Sequence, residues 1–562
     1  MGQKNITRIT AEMFRKGEID RRLLSGLLCE KCDKNIEISG ENIIIRCLPV
    51  SDDGKEYELL FNRLKRKEEY SEVVDLSFTY IEEGDREVLK ELLKEKPNLK
   101  ATYSFFDGEF DFSGMTFENL EMPFSIFKGN VNFGRMTLKG DTDFEGSVFE
   151  GDADFEWSVF EGDADFAWSV FEGKTEFKGS VFKGIANFAG TAFNESVVFG
   201  TATFEKDAYF RFSTFEKDAD LGDSEFGGDA DFIKTTFRGV AIFRFSTFKR
   251  DAVFEECVFG RNADFMGSDF KDDAGFKGAA FEGDADFKES VFGNDVDFVG
   301  SVFKNGAVFR KSVFKGITDF GGSAFEGDAD FGRSIFYGLL RFLVKASNHV
   351  SFNYTAFKAT VHILGEIDSL EISHAMFESH LELDWEENNV EQIIKKKLNG
   401  KPKNERKKLC HTVSKEFVIL KERYHIQGEY DYEDKAYVAF KRTERETKGN
   451  VKKSLSYLAD WMGNYGTSPI RVAAWMLLVL TIFGIVYTFI LGGVMFSGGI
   501  LVVDADMIIQ SFYMSGILFT TIGLSSIYPA GILPMFLDVL EGFAGMFLMA
   551  YFTICFSRKV LR

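Results

Sequence analysis

The chain has 562 residues, too many for one ordinary domain, and phenylalanine supplies 64 of them. Its formal net charge of −21 argues against a protein that binds nucleic acid through phosphate contacts. The six cysteines are scattered and form no disulfide framework, and no apolar signal segment opens the chain. We therefore expect several domains, with the large N-terminal part in a reducing cytosol.

Residues 1–111 have a mixed composition. Three segments have a predicted structure: the helices Ile9–Lys16 and Arg86–Leu93 and the strand Asn35–Leu48. The region also contains three cysteines, Cys29, Cys32 and Cys47, without a nearby histidine. Because a structural zinc site needs four ligands, these cysteines either form part of a zinc site or have no metal-binding role, and both alternatives stay open. We expect the region to cap the repeats that follow, because a bare solenoid end exposes apolar side chains.

A phenylalanine ladder occupies residues 112–383. Its steps alternate between five and six residues, so the true period is eleven, and Leu221 replaces Phe once. A small residue stands two positions before each Phe, for example Ala153 before Phe155. In an extended segment, residues two apart point to the same side. Gly-Asp pairs such as Gly151-Asp152 favour turns between the segments.

This ladder resembles the eleven-residue, Phe-rich variant of the pentapeptide-repeat family. The resemblance implies a right-handed quadrilateral β-helix in which two repeats make one coil. At a coil spacing of about 4.8 Å, the ladder predicts about twelve coils and a rod of roughly 60 Å. The Phe rings would stack in interior columns while the small residues fill the corners.

The solenoid carries rows of acidic residues, among them Glu150, Asp152, Asp154, Glu161, Asp163 and Asp165. Some pentapeptide-repeat proteins present acidic surfaces that resemble DNA, and the rod is also a candidate sensor of an unknown cytoplasmic ligand or protein. Charge rows commonly just keep a repeat protein soluble. We expect a solvated face. A sensing role and an ordinary role both stay open for four histidines near the end of the ladder: His349, His362, His374 and His380.

Residues 384–471 are predicted to form a basic linker and a helical hairpin. The basic run between Lys395 and Lys408 is suited either to anionic lipid headgroups or to a solvated loop. Helices are predicted at Val413–Tyr424 and Glu433–Glu446, on either side of a glycine turn. The segment Gly428–Arg442 resembles a helical connector that precedes the pore in pentapeptide-repeat channel proteins.

Residues 472–562 are predicted to form a two-span α-helical membrane domain, with spans at 472–491 and 532–557. No Lys or Arg lies between Val472 and Ser557, whereas basic residues flank both ends. The positive-inside rule then predicts a multi-pass protein of the cell membrane with both termini in the cytoplasm.

A short apolar helix and an extended segment are predicted at 508–529, between the spans. Extended backbone at membrane depth is tolerated only where protein buries it or where it lines a watery path. The run from Thr520 to Pro529, TTIGLSSIYP, resembles the selectivity filter of potassium-channel-type pores. The resemblance implies that backbone carbonyls hold a dehydrated cation. The filter residues would be Thr520, Thr521, Ile522, Gly523, Leu524, Ser525 and Ser526.

The motif departs from that family in its outer half. Ser525 stands where the second filter glycine is expected, and Ser526 where aspartate is expected. We therefore expect a remodelled outer filter that conducts cations without strict K⁺ selectivity. In the second span, Glu541 is predicted to hydrogen-bond the pore helix, because ionisable residues inside a membrane face a partner or a cavity. Gly545, sixteen residues after Pro529, occupies the place of the family's hinge glycine, and Gly542 lies on the same inner helix.

These patterns predict a tetrameric cation channel, a homotetramer in a lipid membrane. K⁺ or another monovalent cation would occupy the filter, and no other cofactor or nucleic acid is expected. No nucleophile–base pair, phosphate loop or complete metal set indicates an enzyme. Two alternatives stay open: a membrane-anchored β-helix scaffold that does not conduct, and an acidic DNA mimic.

Overall fold

The structure is a computed structural model. It describes residues 73–77, 80–95, 97–490, 494–497, 500–503, 505–522 and 532–561. The chain divides into two compact units, Met1–Ile393 and Ile394–Arg562. The elements predicted at Ile9–Lys16 and Asn35–Leu48, and the thiols of Cys29, Cys32 and Cys47, lie outside the described residues.

The first unit is a four-sided parallel β-solenoid of about 14 turns. A regular coil holds four two-residue strands, as in Ala153–Asp154, Val159–Phe160, Ala164–Asp165 and Val170–Phe171. Each strand pairs in parallel with its equivalent 22 residues later, so Ala153 lies beside Thr175. Two eleven-residue repeats therefore make one coil, as the pentapeptide-repeat resemblance implied.

The solenoid begins ahead of residue 112, the boundary that the phenylalanine pattern predicted. Val74–Asp75 pairs with Asn98–Lys100, which pairs in turn with Asn119–Glu121. The inward positions of these rungs hold Val74, Leu99 and Leu120, all buried, so the Phe pattern does not reveal them. Helix α1 (Arg86–Glu95) interrupts the first coil and begins where the sequence predicts a helix.

Two long strands distinguish the last coils. Leu340–Ser351 pairs successively with strands of three faces, and Val361–Glu371 follows it in parallel. Three faces therefore join into one 38-stranded sheet, while the fourth remains a separate 13-stranded sheet. After the last strand, Leu381–Glu382, the buried side chains of Trp385, Val390 and Ile393 continue the apolar core.

Phenylalanine rings fill the interior in stacked columns. Phe149 lies over Phe171 with ring centroids 4.5 Å apart and planes 3° from parallel. Rings of adjacent columns meet edge to face, as Phe155 meets Phe166 at 5.4 Å. Both arrangements suit the quadrupole of the aromatic ring. Each buried ring contributes about 1.5–3 kcal/mol, so the stack is the main source of the solenoid's stability.

The small residues at the corners also hydrogen-bond the coil below. Ser158 donates its hydroxyl to the carbonyl of Phe133 at 2.7 Å, and Ser180 donates to the carbonyl of Phe155 at 2.6 Å. The thiol of Cys257 takes the same place against the carbonyl of Phe232 at 2.8 Å. Burial raises the pKa of this thiol, so it stays protonated. These bonds give each buried hydroxyl or thiol an acceptor, and the carbonyls of Phe155 and Phe232 also accept the amides of Ser158 and Thr235.

The second unit is helical in most of its described part. A long helical hairpin, α3 (Lys403–Gln427) and α4 (Tyr430–Arg445), turns at Gly428, whose φ of 78° favours glycine. The short helix α2 (Val390–Lys395) and the 3₁₀ turn Lys396–Leu398 precede it. The remaining elements follow in chain order: α5 (Asn450–Gly463), the turn Asn464–Gly466, α6 (Pro469–Ile490), the antiparallel strands Val494–Ser497 and Ile500–Val503, α7 (Ala505–Phe519) and α8 (Ile532–Val560).

Two of the described helices are long and apolar enough to cross a membrane. They are Pro469–Ile490, which is α6, and Met535–Val560, which is most of α8. They coincide with the spans predicted at 472–491 and 532–557. Helix α7, between them in the chain, is apolar but shorter.

A charge inside the phenylalanine column tests the core. Phe232 is fully buried and stacks at 4.8 Å on both Phe210 and Phe254. Losing a buried Phe side chain costs about 3–5 kcal/mol, and burying an unpaired carboxylate adds to that cost. We expect Phe232→Asp to lower the unfolding temperature of the solenoid strongly, as measured by circular dichroism of the purified chain. Phe212→Asp is the control, because that ring is 46% exposed and should tolerate the change.

Candidate functional site

Helix α7 is the centre of the candidate site. Its 15 residues extend about 22 Å at 1.5 Å per residue, which is short of a hydrocarbon core of about 30 Å. It packs against both α6 and α8. The side chains it buries lie along one face: Ser511, Met514, Ser515 and Phe519. Helix α7 is thus a short apolar helix held between the two candidate spans.

A buried polar contact fixes α7 to both of its neighbours. Ser515 donates to a carboxylate oxygen of Glu541 on α8 at 2.5 Å, and its hydroxyl lies 3.1 Å from the carbonyl of Leu480 on α6. Glu541 is fully buried. The contact matches the predicted hydrogen bond between Glu541 and the pore helix. Its physical reason is that an ionisable group in an apolar span must find a polar partner.

Two further polar residues complete this cluster. Tyr487 on α6 and Asp538 on α8 face the same region as Glu541. Within the described part of the chain, the Tyr487 hydroxyl, one oxygen of Asp538 and the second oxygen of Glu541 have no hydrogen-bond partner. Sequence reasoning missed Tyr487 and Ser515. The only sequence signal for these two residues was a hydroxyl group within an otherwise apolar predicted helix.

Gly545 lies where α8 crosses the end of α7. A Cβ at this position would meet the carbonyl oxygen of Phe519 at 2.0 Å, which no side chain tolerates. A Cβ at Gly542 would lie 3.8 Å from the carbonyl of Leu518, an ordinary contact. Gly545 is therefore required for the close packing of these two helices. That requirement is separate from the hinge role implied by the family resemblance, which stays a prediction.

Only the first part of the filter-like motif is described. Thr520, Thr521 and Ile522 are exposed and close the end of α7, with Thr521 in the left-handed region at a φ of 56°. The Thr521 amide donates to the carbonyl of Leu518 at 3.1 Å. The other predicted filter residues lie outside the described residues, namely Gly523, Leu524, Ser525 and Ser526.

The C-terminal end of α8 is joined to the helical hairpin by ion pairs. Arg558 lies 2.9 Å from Asp434 of α4, and Lys559 lies 2.6 Å from Asp431. The Arg558 guanidinium also stacks over the ring of Tyr437 at 4.5 Å. Because Asp434 is buried, loss of Arg558 would leave a buried carboxylate short of its partner, which costs more than breaking an exposed ion pair.

Aspartates in the acidic rows of the solenoid accept hydrogen bonds from backbone amides. Asp152 and Asp163 each accept the amide N–H of a residue in the next coil, from Lys174 at 2.9 Å and Ile185 at 2.8 Å. Asp154 and Asp165 each accept the N–H two residues ahead, both at 2.8 Å. The regular spacing of these aspartates thus has a structural cause, which was not predicted from the sequence.

Three of the four histidines make separate side-chain contacts. His349 lies 3.1 Å from the Ser369 hydroxyl, His362 lies 3.0 Å from Glu382, and His374 stacks on Tyr354 at 4.6 Å. Among the residues the structure describes, no group of His, Cys, Asp and Glu is arranged to hold a metal ion.

Part of the basic run packs within the second unit. Lys397 pairs with the buried Glu416 at 2.7 Å, and Arg406 pairs with Glu446 at 2.9 Å. The Arg406 guanidinium holds the pKa of Glu446 below its usual range. Lys397 and Arg406 therefore help to hold the helical hairpin together and are not part of a separate solvated loop.

A family model for pentapeptide repeats (9 copies) matches residues 125–167, 169–214, 232–280, 269–312 and 298–343. No curated protein and no solved structure matches the chain. The matched segments all lie in the solenoid, so the pentapeptide-repeat resemblance is confirmed there. The unmatched stretch 215–231 includes Leu221, where the Phe ladder is interrupted. No family match falls on residues 472–562, and the pore resemblance stays a prediction.

The two glycines of α8 provide a matched test of its packing. Gly545→Ala forces α8 away from the Phe519 carbonyl, and overpacking of this kind costs about 1–3 kcal/mol. Gly542→Ala introduces no clash and gains helix propensity, up to about 1 kcal/mol. We expect thermal unfolding in detergent to show a lower transition for Gly545→Ala alone. Equal behaviour of the two variants would contradict the close-packing role.

The acidic rows predict a pH-dependent stability. Desolvation raises the pKa of Asp165 despite its bond to the Ala167 amide. The folded chain therefore binds a proton more readily than the unfolded chain, and stability falls as pH rises through the interval between the ordinary and the raised pKa. Asp165→Asn should stabilise the solenoid at neutral pH, with the gain disappearing below about pH 4.

The next coil supplies the matched control for that substitution. Asn187 occupies the equivalent position, beside Asp165 in the sheet register. Asn187→Asp should destabilise the solenoid at neutral pH, because it places like charges directly opposite one another. Thermal unfolding at neutral and acidic pH measures both effects, and a gain from Asp165→Asn that persists in acid would contradict the account.

Proposed function

We propose that the chain is one subunit of a tetrameric cation channel of the potassium-channel type. The observation that carries the proposal is the placement of α7. This helix is too short to span, is held between two candidate spans by the Ser515–Glu541 contact, and ends at Thr520, where the filter-like motif begins. A short helix followed by extended backbone at membrane depth needs a watery path or burial in protein.

In this proposal the end of α7 faces the permeant ion. The C-terminal end of a helix carries a partial negative charge, which favours a nearby cation. The carbonyls of Thr521 to Leu524 would replace the water around K⁺ or another monovalent cation. One loop supplies a quarter of the required oxygens, so the chain would assemble as a homotetramer.

The ends of the spans support the proposed topology. Near the start of α6, the Tyr551 hydroxyl of α8 lies 3.4 Å from the Ala459 carbonyl of α5. At the end of α8, Arg558 pairs with Asp434 of α4. The start of α6 and the end of α8 thus both lie beside α4 and α5. Basic residues lie on these two helices, among them Lys452 and Lys453 on α5. The positive-inside rule then favours a cytoplasmic location for α4, α5 and both termini.

The ion pairs of Arg558 and Lys559 give the proposed channel a connection to its helical hairpin. Movement of α4 would be transmitted to the end of the inner helix through Asp434 and Asp431. The solenoid precedes this hairpin in the chain and would supply the surface for an unknown cytoplasmic ligand or protein. Gating would then involve the inner-helix residues Glu541, Gly542 and Gly545.

Neither alternative function gains support from the described contacts. The acidic rows do not require a DNA mimic to explain them, because one oxygen each of Asp152 and Asp163 accepts a backbone amide of the next coil. A scaffold anchored by two helices would need the same Ser515–Glu541 contact to satisfy its buried carboxylate, so this contact does not separate the two functions. Conduction separates the scaffold from the channel.

Planar-bilayer recording of the reconstituted chain tests the proposal. We expect cation current from the wild type, and reversal potentials under K⁺ and Na⁺ gradients give its selectivity. Glu541→Leu removes the partner of Ser515 and should abolish or alter the current. Glu541→Gln keeps a hydrogen-bond acceptor at this position and should retain conduction.

The controls assign each outcome to a cause. Size-exclusion chromatography of each variant establishes whether the assembly survives. A wild-type assembly that passes no current would favour the scaffold. Unchanged current in Glu541→Leu would refute the role of the buried carboxylate.

A further inference from the structure

Helix α5 presents its apolar side chains outward. Val451 is 76% exposed, and Leu455 and Trp461 are each 62% exposed. Together with the exposed Leu458, they recur at helical spacing and occupy one face. On a helix bathed in water this face would carry polar residues.

The opposite face of α5 packs against the rest of the second unit. Asp460 accepts hydrogen bonds from Arg442 at 3.0 Å and from Arg445 at 2.9 Å. Ser456, which is buried, hydrogen-bonds the hydroxyl of Tyr465 at 2.9 Å. The polar side is therefore engaged by protein. These contacts fix the orientation of α5, and among the described residues Val451, Leu455 and Leu458 on its apolar face stay exposed.

The position and charge of α5 identify what covers this face. Only the turn Asn464–Gly466 and two further residues separate α5 from α6, the first candidate span. Trp461 packs against Trp475 of that span with ring centroids 3.9 Å apart. Exposed basic residues, Lys452 and Arg471, lie on α5 and at the start of α6. Tryptophan and lysine are typical of the boundary between hydrocarbon and headgroups.

We propose that α5 lies in the membrane interface, with Val451, Leu455, Leu458 and Trp461 in the acyl boundary. Lys452 and Arg471 would then meet anionic headgroups, at about 1 kcal/mol per charge. The ligand of this surface is a lipid bilayer rather than a second copy of the chain, since the apolar face is flanked by cations and continues into a span. This inference requires α6 to cross the membrane but does not depend on conduction.

Spin labels on the full-length chain test the proposal. Single cysteines replace Leu455 or Leu458 on the apolar face, and Leu477, which is 65% exposed on α6, as a reference inside the span. The protein is reconstituted in vesicles of phosphatidylcholine and phosphatidylglycerol. Wild-type protein labelled in the same way gives the background from native cysteines. Collision with oxygen reports lipid, and collision with a water-soluble nickel chelate reports solvent.

The result expected is strong oxygen collision and weak nickel collision at Leu455→Cys and Leu458→Cys, at a shallower depth than at Leu477→Cys. Strong nickel collision on α5 would overturn the proposal, because the face would then be in water. Shielding from both reagents would also overturn it, in favour of contact with another copy of the chain. If Leu477→Cys is also in water, α6 is no span and the channel proposal fails as well.

Discussion

The solenoid depends on one constraint: every polar group that its stack of phenylalanine rings buries must find a hydrogen-bond partner. Stacking aromatic rings in a closed column brings backbone carbonyls into an apolar interior, where each unpaired polar group costs free energy. Ser158 donates to the carbonyl of Phe133, and the thiol of Cys257 donates to the carbonyl of Phe232, which also accepts the Thr235 amide. The alternation of a small polar residue and a large apolar one therefore has two causes, packing volume and hydrogen bonding.

The same constraint applies in the second unit, where fewer polar side chains are buried. Ser515 and Glu541 are buried between apolar helices, and each is the other's partner. Their bond fixes where α7 lies along α8, and Gly545 lets α8 pass the Phe519 carbonyl closely. The geometry of the proposed pore thus depends on one polar contact and one glycine, while the apolar side chains provide most of the contact surface between the helices.

Much of this could be predicted from the sequence because it follows from periodicity. The spacing of phenylalanines gave the eleven-residue period, from which the family resemblance implied coils of two repeats. The charge of Glu541 in an apolar run required a partner. The extension of the solenoid back to Val74 could not be predicted, because the first described rungs carry Val and Leu instead of Phe. The roles of Tyr487 and Gly545 depend on how helices cross, which no local pattern records. The exposed face of α5 became evident only when its polar side was seen to pack.

The central claim is that four copies place their filter segments around one axis. Electron cryo-microscopy of the full-length protein in lipid nanodiscs tests it most directly. The account predicts a fourfold assembly in which α8 lines a central opening and the C-terminal ends of four α7 helices point to the axis. A monomer or dimer in the membrane, with α7 packed away from any opening, would contradict it.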